Sequence, residues 1–156
     1  MNDQRSDQSL QKAKQIVLRL LNIRLRSEKE IQDKLATKRY AKQDIKQTLH
    51  YFKKLGLIDD RQFAKEWISS RLSKPLGSSR IRLELKAKGI DNEISQDELM
   101  QAFKDYPEFK IVDKLAQHRA LQYTGIDSEK IKQRVYGYLT RRGFTTAAID
   151  KAVEKL

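Results

Sequence analysis

The chain has 156 residues, 38% of them apolar, enough for one ordinary domain or a short array of small units but not for one large core. Lys and Arg number 33 against 21 Asp and Glu, a net charge of +12 that favours phosphate-bearing or otherwise acidic partners. The absence of cysteine excludes disulfides and thiolate metal sites, and a polar start with no apolar run long enough for a bilayer argues for a cytoplasmic protein with no membrane partner.

Residues 1–8 are polar and are expected to form a flexible N-terminal tail. From there the chain divides into three stretches with one pattern, at offsets of about 50 residues, the spacing of helical repeat arrays. The first, 9–56, predicts helices over 9–22, 28–38 and 42–55. Leu20 stands four residues before Arg24, on one helix face. Ser27 and Glu30 have capping-box spacing, Ile31 and Leu35 face inward, Arg39 and Tyr40 close the second helix, and Ile45 opens the apolar face of the third.

The second stretch, 57–103, predicts helices over 60–74, 79–88 and 92–103. Asp59 with Gln62 starts the first of these as an N-cap pair. Phe63, Trp67 and Arg71 share one face, with Trp67 read as core and base stacking as the alternative. Ile81 and Leu85 repeat the positions of Ile31 and Leu35, Gly89-Ile90 those of Arg39-Tyr40, and Ile94 opens the third helix. A linker over 104–107, ending at Pro107, is expected to hinge.

The third stretch, 108–156, predicts helices over 108–123, 128–142 and 145–156. Leu115 precedes Arg119 as Leu20 precedes Arg24, and Val135, Leu139, Gly143, Phe144 and Ile149 complete the pattern. Gly56, Gly89, Gly125 and Gly143 stand where helix ends favour a left-handed residue. The fold class is therefore all-α, three tandem three-helix repeats in an elongated, curved array, because a lone unit of this size buries too little surface to stand alone. Nothing in the pattern sets an oligomer, and a monomer is expected.

No catalytic motif is found. There is no phosphate loop and no nucleophile motif, and His50 and His118 lie apart without metal-ligand spacing. No enzyme activity, cofactor or metal is expected. Asp59 and Asp60 read more simply as helix caps than as a metal or acid–base pair. The remaining chemistry is cationic. Residues 1–56 hold 14 basic and 6 acidic groups, 57–106 hold 9 of each, and 107–156 hold 10 and 6. Arg24, Arg71 and Arg119 recur at one repeat position and serve either an intra-unit bond or a partner. Arg26, Lys74, Arg80, Arg82, Lys86, Lys88, Arg141 and Arg142 complete the set of candidate partner- or DNA-binding residues.

Three segments are more specific than helical spacing requires. Gly56-Leu57-Ile58-Asp59-Asp60-Arg61-Gln62-Phe63-Ala64, Gly77-Ser78-Ser79-Arg80-Ile81-Arg82-Leu83-Glu84-Leu85-Lys86-Ala87-Lys88-Gly89-Ile90 and Arg24-Leu25-Arg26-Ser27-Glu28-Lys29-Glu30-Ile31 resemble signatures of the RecX family. Ser78 departs from the usual Pro, and Arg39 from a frequent Gly. The resemblance implies a regulator that binds the RecA recombinase and its filament on single-stranded DNA, mainly inhibiting recombinase, ATPase and strand-exchange activity in DNA repair and the SOS response. The alternative is a sequence-nonspecific binder of naked DNA, with Lys42, Gln43, Lys46 and Gln47 facing a groove in helix-turn-helix fashion.

Overall fold

The computed structural model describes residues 2–156, with side chains from Gln4 onward. Among these residues nine α-helices form and no strand. They are α1 (Asn2–Ile23), α2 (Glu28–Thr37), α3 (Lys42–Lys54), α4 (Asp60–Leu72), α5 (Ser78–Ala87), α6 (Asn92–Asp105), α7 (Glu108–Ala120), α8 (Ser128–Arg141) and α9 (Thr146–Glu154). None is long and apolar enough to cross a membrane.

Each consecutive trio encloses its own core, with the first and third helices packed together and the second laid across them. Ile31, Leu35 and Ile45 are buried with Val17, Leu49, Phe52 and Ile58 in unit one. Phe63, Ile81 and Leu85 are buried with Ile68, Ile90 and Leu99 in unit two. Val135, Leu139 and Ile149 are buried with Val112 and Phe144 in unit three. Leu20, Trp67, Ile94 and Leu115 are only half-buried and pack against the edges of these clusters. In unit two the fully enclosed position at the start of the third helix is Ser95, 2% exposed, one residue beyond the expected Ile94. Three small cores leave much surface. The accessible area is 10657 Å², against ~8,100 Å² for a compact protein of 18.3 kDa, so the array is elongated.

Two sequence expectations need correction. Helix α1 begins at Asn2, within the segment expected to be a flexible tail, Met1 lying outside the described residues. Gln4, Arg5 and Gln8 are good helix formers, and Ser9 Oγ donates to the buried Asp44 carboxylate at 2.7 Å, fastening this end of α1 to α3. The expected linker at 104–107 is shorter, because α6 continues through Lys104 to Asp105. Only Tyr106 and Pro107 separate α6 from α7, and Lys104 suits the negative end of the helix dipole.

The second helices of the three units form a head-to-tail row. At the junction of units two and three, Gly77 N–H donates to Arg142 O at 2.9 Å and Ser79 N–H to Gly143 O at 3.1 Å. Free donors at the start of α5 thus meet free acceptors at the end of α8. A Cβ on Gly77 would lie 2.1 Å from Gly143 O, so this approach is open only to glycine. Glu108, the first residue of α7, accepts from Ser78 N–H and Oγ–H at 2.8 and 2.9 Å and from Thr145 Oγ–H at 2.6 Å.

The junction of units one and two repeats this plan. Ser27 Oγ donates to Lys88 O at the end of α5 at 2.7 Å, and Glu28 N–H donates to Asp60, the first residue of α4, at 2.8 Å. Asp59 caps its own helix through Arg61 and Gln62 N–H, whereas Asp60 caps the neighbouring unit's.

Candidate partner-binding surface

The repeated arginines meet different fates. Arg24, on the last turn before α2, forms a two-pronged pair with Glu30 at 3.0 and 2.9 Å, and Lys88 reaches the same carboxylate from unit two at 2.7 Å. Burial opposes ionisation of Glu30, but hydrogen bonds from Arg24 and Lys88 outweigh it and hold its pKa down at about 2. In unit two, Arg71 pairs with Glu84 and lies 4.2 Å over the Trp67 ring. The indole N–H donates to the same carboxylate at 3.0 Å, and the Phe63 and Trp67 rings stack at 5.6 Å between centroids. Arg80 adds a longer contact to Glu84 at 3.4 Å. Partial burial raises the Glu84 pKa, and the Arg71 and Trp67 bonds more than reverse this. Arg24, Arg71 and Arg80 therefore pair within their own units, and Lys88 joins unit two to unit one through Glu30.

In unit three the same position has no acid. Arg119 lies 4.8 Å over the Tyr138 ring and 5.5 Å over Tyr123. Arg134 covers Tyr123 at 5.3 Å and Arg142 covers Tyr138 at 4.8 Å. The polar bonds here are to neutral groups, from Arg119 to the Gln122 side-chain Oε1 at 2.7 Å and from Arg142 to Pro75 O at 3.1 Å. Arg119 Nε is buried with no acceptor. Arg134, Tyr123 and Tyr138 stand outside the sequence-derived site set. Two of these contacts, Arg119–Tyr123 and Tyr138–Arg142, have the four-residue spacing visible in the sequence, whereas Arg119–Tyr138 and Arg134–Tyr123 form only when α8 packs against α7.

Among the described residues, Arg26, Lys74, Arg82, Lys86, Arg141 and Arg142 also have no carboxylate within ion-pair distance. Arg82 and Lys86 are exposed one turn apart on α5, Lys74 and Arg141 are exposed, and Arg26 and Arg142 are half-buried. His50 and His118 are exposed, and no group of three or more His, Asp or Glu is placed to hold a metal ion among the described residues. The surface chemistry is that of fixed cations spread along a rod.

Fold and surface define a tandem helical-repeat protein that carries arginines and lysines without a carboxylate partner on each of its three units, besides those that pair within and between the units. The descriptions "RecX, first three-helix domain", "RecX, second three-helix domain" and "RecX, third three-helix domain" match residues 13–52, 59–99 and 107–153 respectively. A protein named Regulatory protein RecX from Chlorobium phaeobacteroides is 34% identical over 152 residues, covering 97% of each chain. Its namesake from Mycolicibacterium smegmatis is 33% identical over 139 residues, 86% of this chain and 73% of that one. The crystal structure of RecX from Lactobacillus salivarius superposes with a TM-score of 0.88 at 25% identity, over 96% of this chain and 97% of that one. The chain belongs to the RecX family of regulatory proteins.

Proposed function

We propose that this protein regulates the RecA recombinase by binding RecA and its nucleoprotein filament on single-stranded DNA, restraining ATPase and strand-exchange activity in DNA repair and the SOS response. The reading rests on family membership across all three units. The observation that best supports it is the division of the cations. Arg24 and Lys88 share Glu30, and Arg71 and Arg80 share Glu84, while Arg82, Lys86, Lys74 and unit three's Arg119, Arg134, Arg141 and Arg142 have no carboxylate partner along an elongated surface. Such a surface reaches several protomers of a polymer at once, with binding gained by multivalency and not from one deep pocket. In this reading the protein is a non-catalytic monomer.

The test is the DNA-dependent ATPase of the cognate RecA, titrated at fixed near-physiological salt with this protein and with an equally basic control. Inhibition at ratios well below one protein per RecA, absent with the control, is the expected result. No inhibition, with tight binding to naked DNA that falls by orders of magnitude between about 50 and 200 mM salt, removes the RecA reading in favour of direct DNA binding. Charge reversal at Arg82 and Lys86 is expected to weaken filament inhibition several-fold while leaving the helical content unchanged.

A further inference from the structure

We propose that the alternating arginine–tyrosine ladder of unit three is a binding site for the phosphodiester backbone of a nucleic-acid strand. The order of the ladder is Arg134, Tyr123, Arg119, Tyr138, Arg142, each step a guanidinium over a ring at 4.8 to 5.5 Å. It deepens the function proposed above by naming which part of the array touches the strand.

Comparison between repeats carries the argument. Where the repeated arginine is structural, a carboxylate sits beside it, as Glu30 does for Arg24 and Glu84 for Arg71. Unit three has Tyr138 at the repeat position of Glu84 and Arg134 at that of Glu30, and so gathers three guanidiniums around two rings. Ring faces attract cations but leave the net charge undiminished, and Arg119 and Arg142 each direct one N–H group to a neutral acceptor, Gln122 and Pro75.

Three of the unit's six acids are committed elsewhere, and Glu129, Asp150 and Glu154 form no ion pair with the ladder's arginines. Glu108 accepts from Ser78 and Thr145, Asp113 pairs with Lys155 at 2.6 Å, and Asp127 caps α8 beside Lys130. Arg119 Nε, like Arg26 Nε in unit one, is enclosed without an acceptor, and in unit three this group belongs to a cluster of guanidiniums.

The shape of the ladder selects the ligand. Each tyrosine has two guanidiniums within 5.5 Å of its ring centroid, so the rings orient the cations. A planar guanidinium presents paired N–H groups that match the oxygens of a phosphate. The cations stand one ring apart, so a single small anion meets one rung, whereas a polymer charged at every nucleotide meets all of them. Arg134 is exposed, and Arg119 and Arg142 are half-buried, so the edges remain within reach of such a strand. Exposed Arg141 extends the same end of α8.

The experiment measures binding of a fluorescent oligothymidylate by anisotropy over about 50 to 200 mM salt, with a duplex of equal length in parallel. Helical content reports the fold of unit three, and Trp67 emission that of units one and two. The combined Arg119→Gln, Arg134→Gln and Arg142→Gln variant is expected to weaken strand binding at least tenfold and to reduce the slope of log affinity against log salt by about 2. A control with three exposed lysines removed from unit one, Lys12→Gln, Lys38→Gln and Lys54→Gln, loses the same charge and is expected to keep most of the slope.

Two further variants separate orientation from charge. Arg119→Lys with Arg134→Lys, and separately Tyr138→Leu, retain the net charge and are expected to lose three- to tenfold in affinity. An unchanged slope in the glutamine variant overturns the proposal, as does an equal loss in the lysine control. So does a glutamine variant that binds the strand normally yet fails to inhibit RecA, since the ladder then meets protein. Ladder-dependent strand binding by a protein that leaves RecA unaffected supports the site while removing only the RecA reading.

Discussion

Arg39 has φ +63°, the left-handed region in which Gly89 and Gly143 sit at the equivalent positions. For a residue with a side chain this conformation is strained by ~1–2 kcal/mol. The glycines are required twice, because a Cβ at Gly89 would lie 2.5 Å from Lys29 Cβ and one at Gly143 2.3 Å from Arg80 Cβ. Nothing docks against Arg39, which is exposed, so only the torsional strain applies there. Glycine's added freedom in the unfolded chain takes back ~0.5–1 kcal/mol. Arg39→Gly is therefore expected to stabilise the protein by about 0.5–1 kcal/mol, read as a higher urea midpoint with an unchanged denaturant slope.

The acids at the junction of units one and two respond to pH in opposite senses. The Glu30 pKa lies below its ordinary value, at about 2. Its contribution is therefore full above the unfolded-state pKa and is lost as pH falls from that value through about 2. Burial raises the Asp60 pKa, so its ionised form is disfavoured in the folded protein, and that penalty disappears on acidification. Comparing wild type with Glu30→Gln and Asp60→Asn in urea from neutral pH to pH ~3 isolates the two. Glu30→Gln should flatten the acid loss. Asp60→Asn keeps an oxygen for Glu28 N–H and should be neutral or stabilising at neutral pH, whereas Asp60→Ala strands that donor and should destabilise by about 1–2 kcal/mol.

At the scale of elements, the helices were readable because they depend on local signals. Ile31 and Leu35, Ile81 and Leu85, and Val135 and Leu139 repeat one spacing, and Ser27, Asp59, Gly89 and Gly143 mark helix ends by their own chemistry. What the sequence hid is non-local. Asp60 looks like a second cap for α4, and only folding brings it to the start of α2. Arg24, Arg71 and Arg119 look equivalent, and only the residues opposite them, two glutamates and then two tyrosines, divide structural from unpaired cations. Gly77 follows Pro75 and Leu76 in an ordinary loop, with nothing local to reveal that it faces the α8 carbonyl. Gly77→Ala should therefore destabilise by about 2–3 kcal/mol through overpacking at the junction. Gly125→Ala meets nothing within 4 Å and carries only the strain of its positive φ, +74°, about 1–2 kcal/mol. Urea midpoints of the two variants measure the difference.

At the scale of the whole molecule, the row of second helices explains how three small cores act as one protein. The carboxyl end of α8 meets the amino end of α5, and the carboxyl end of α5 meets the amino end of α2, so opposite helix-dipole ends face each other at both junctions. Glu108 and Asp60 add the same first-residue acid to each. An array with such nearest-neighbour coupling unfolds in one step while the couplings exceed the differences in unit stability, and in pieces when one coupling fails. Trp67 is the single tryptophan and lies in unit two, where Lys88 links its surroundings to Glu30 of unit one. Trp67 emission therefore follows units one and two, while helical circular dichroism sums all three. The two signals should give coincident urea transitions in the native chain. In Gly77→Ala the helical signal should begin to fall before the tryptophan signal, as unit three melts free of its neighbour. Coincident curves in that variant would mean that the stacked cores, and not the α8–α5 bonds, carry the coupling.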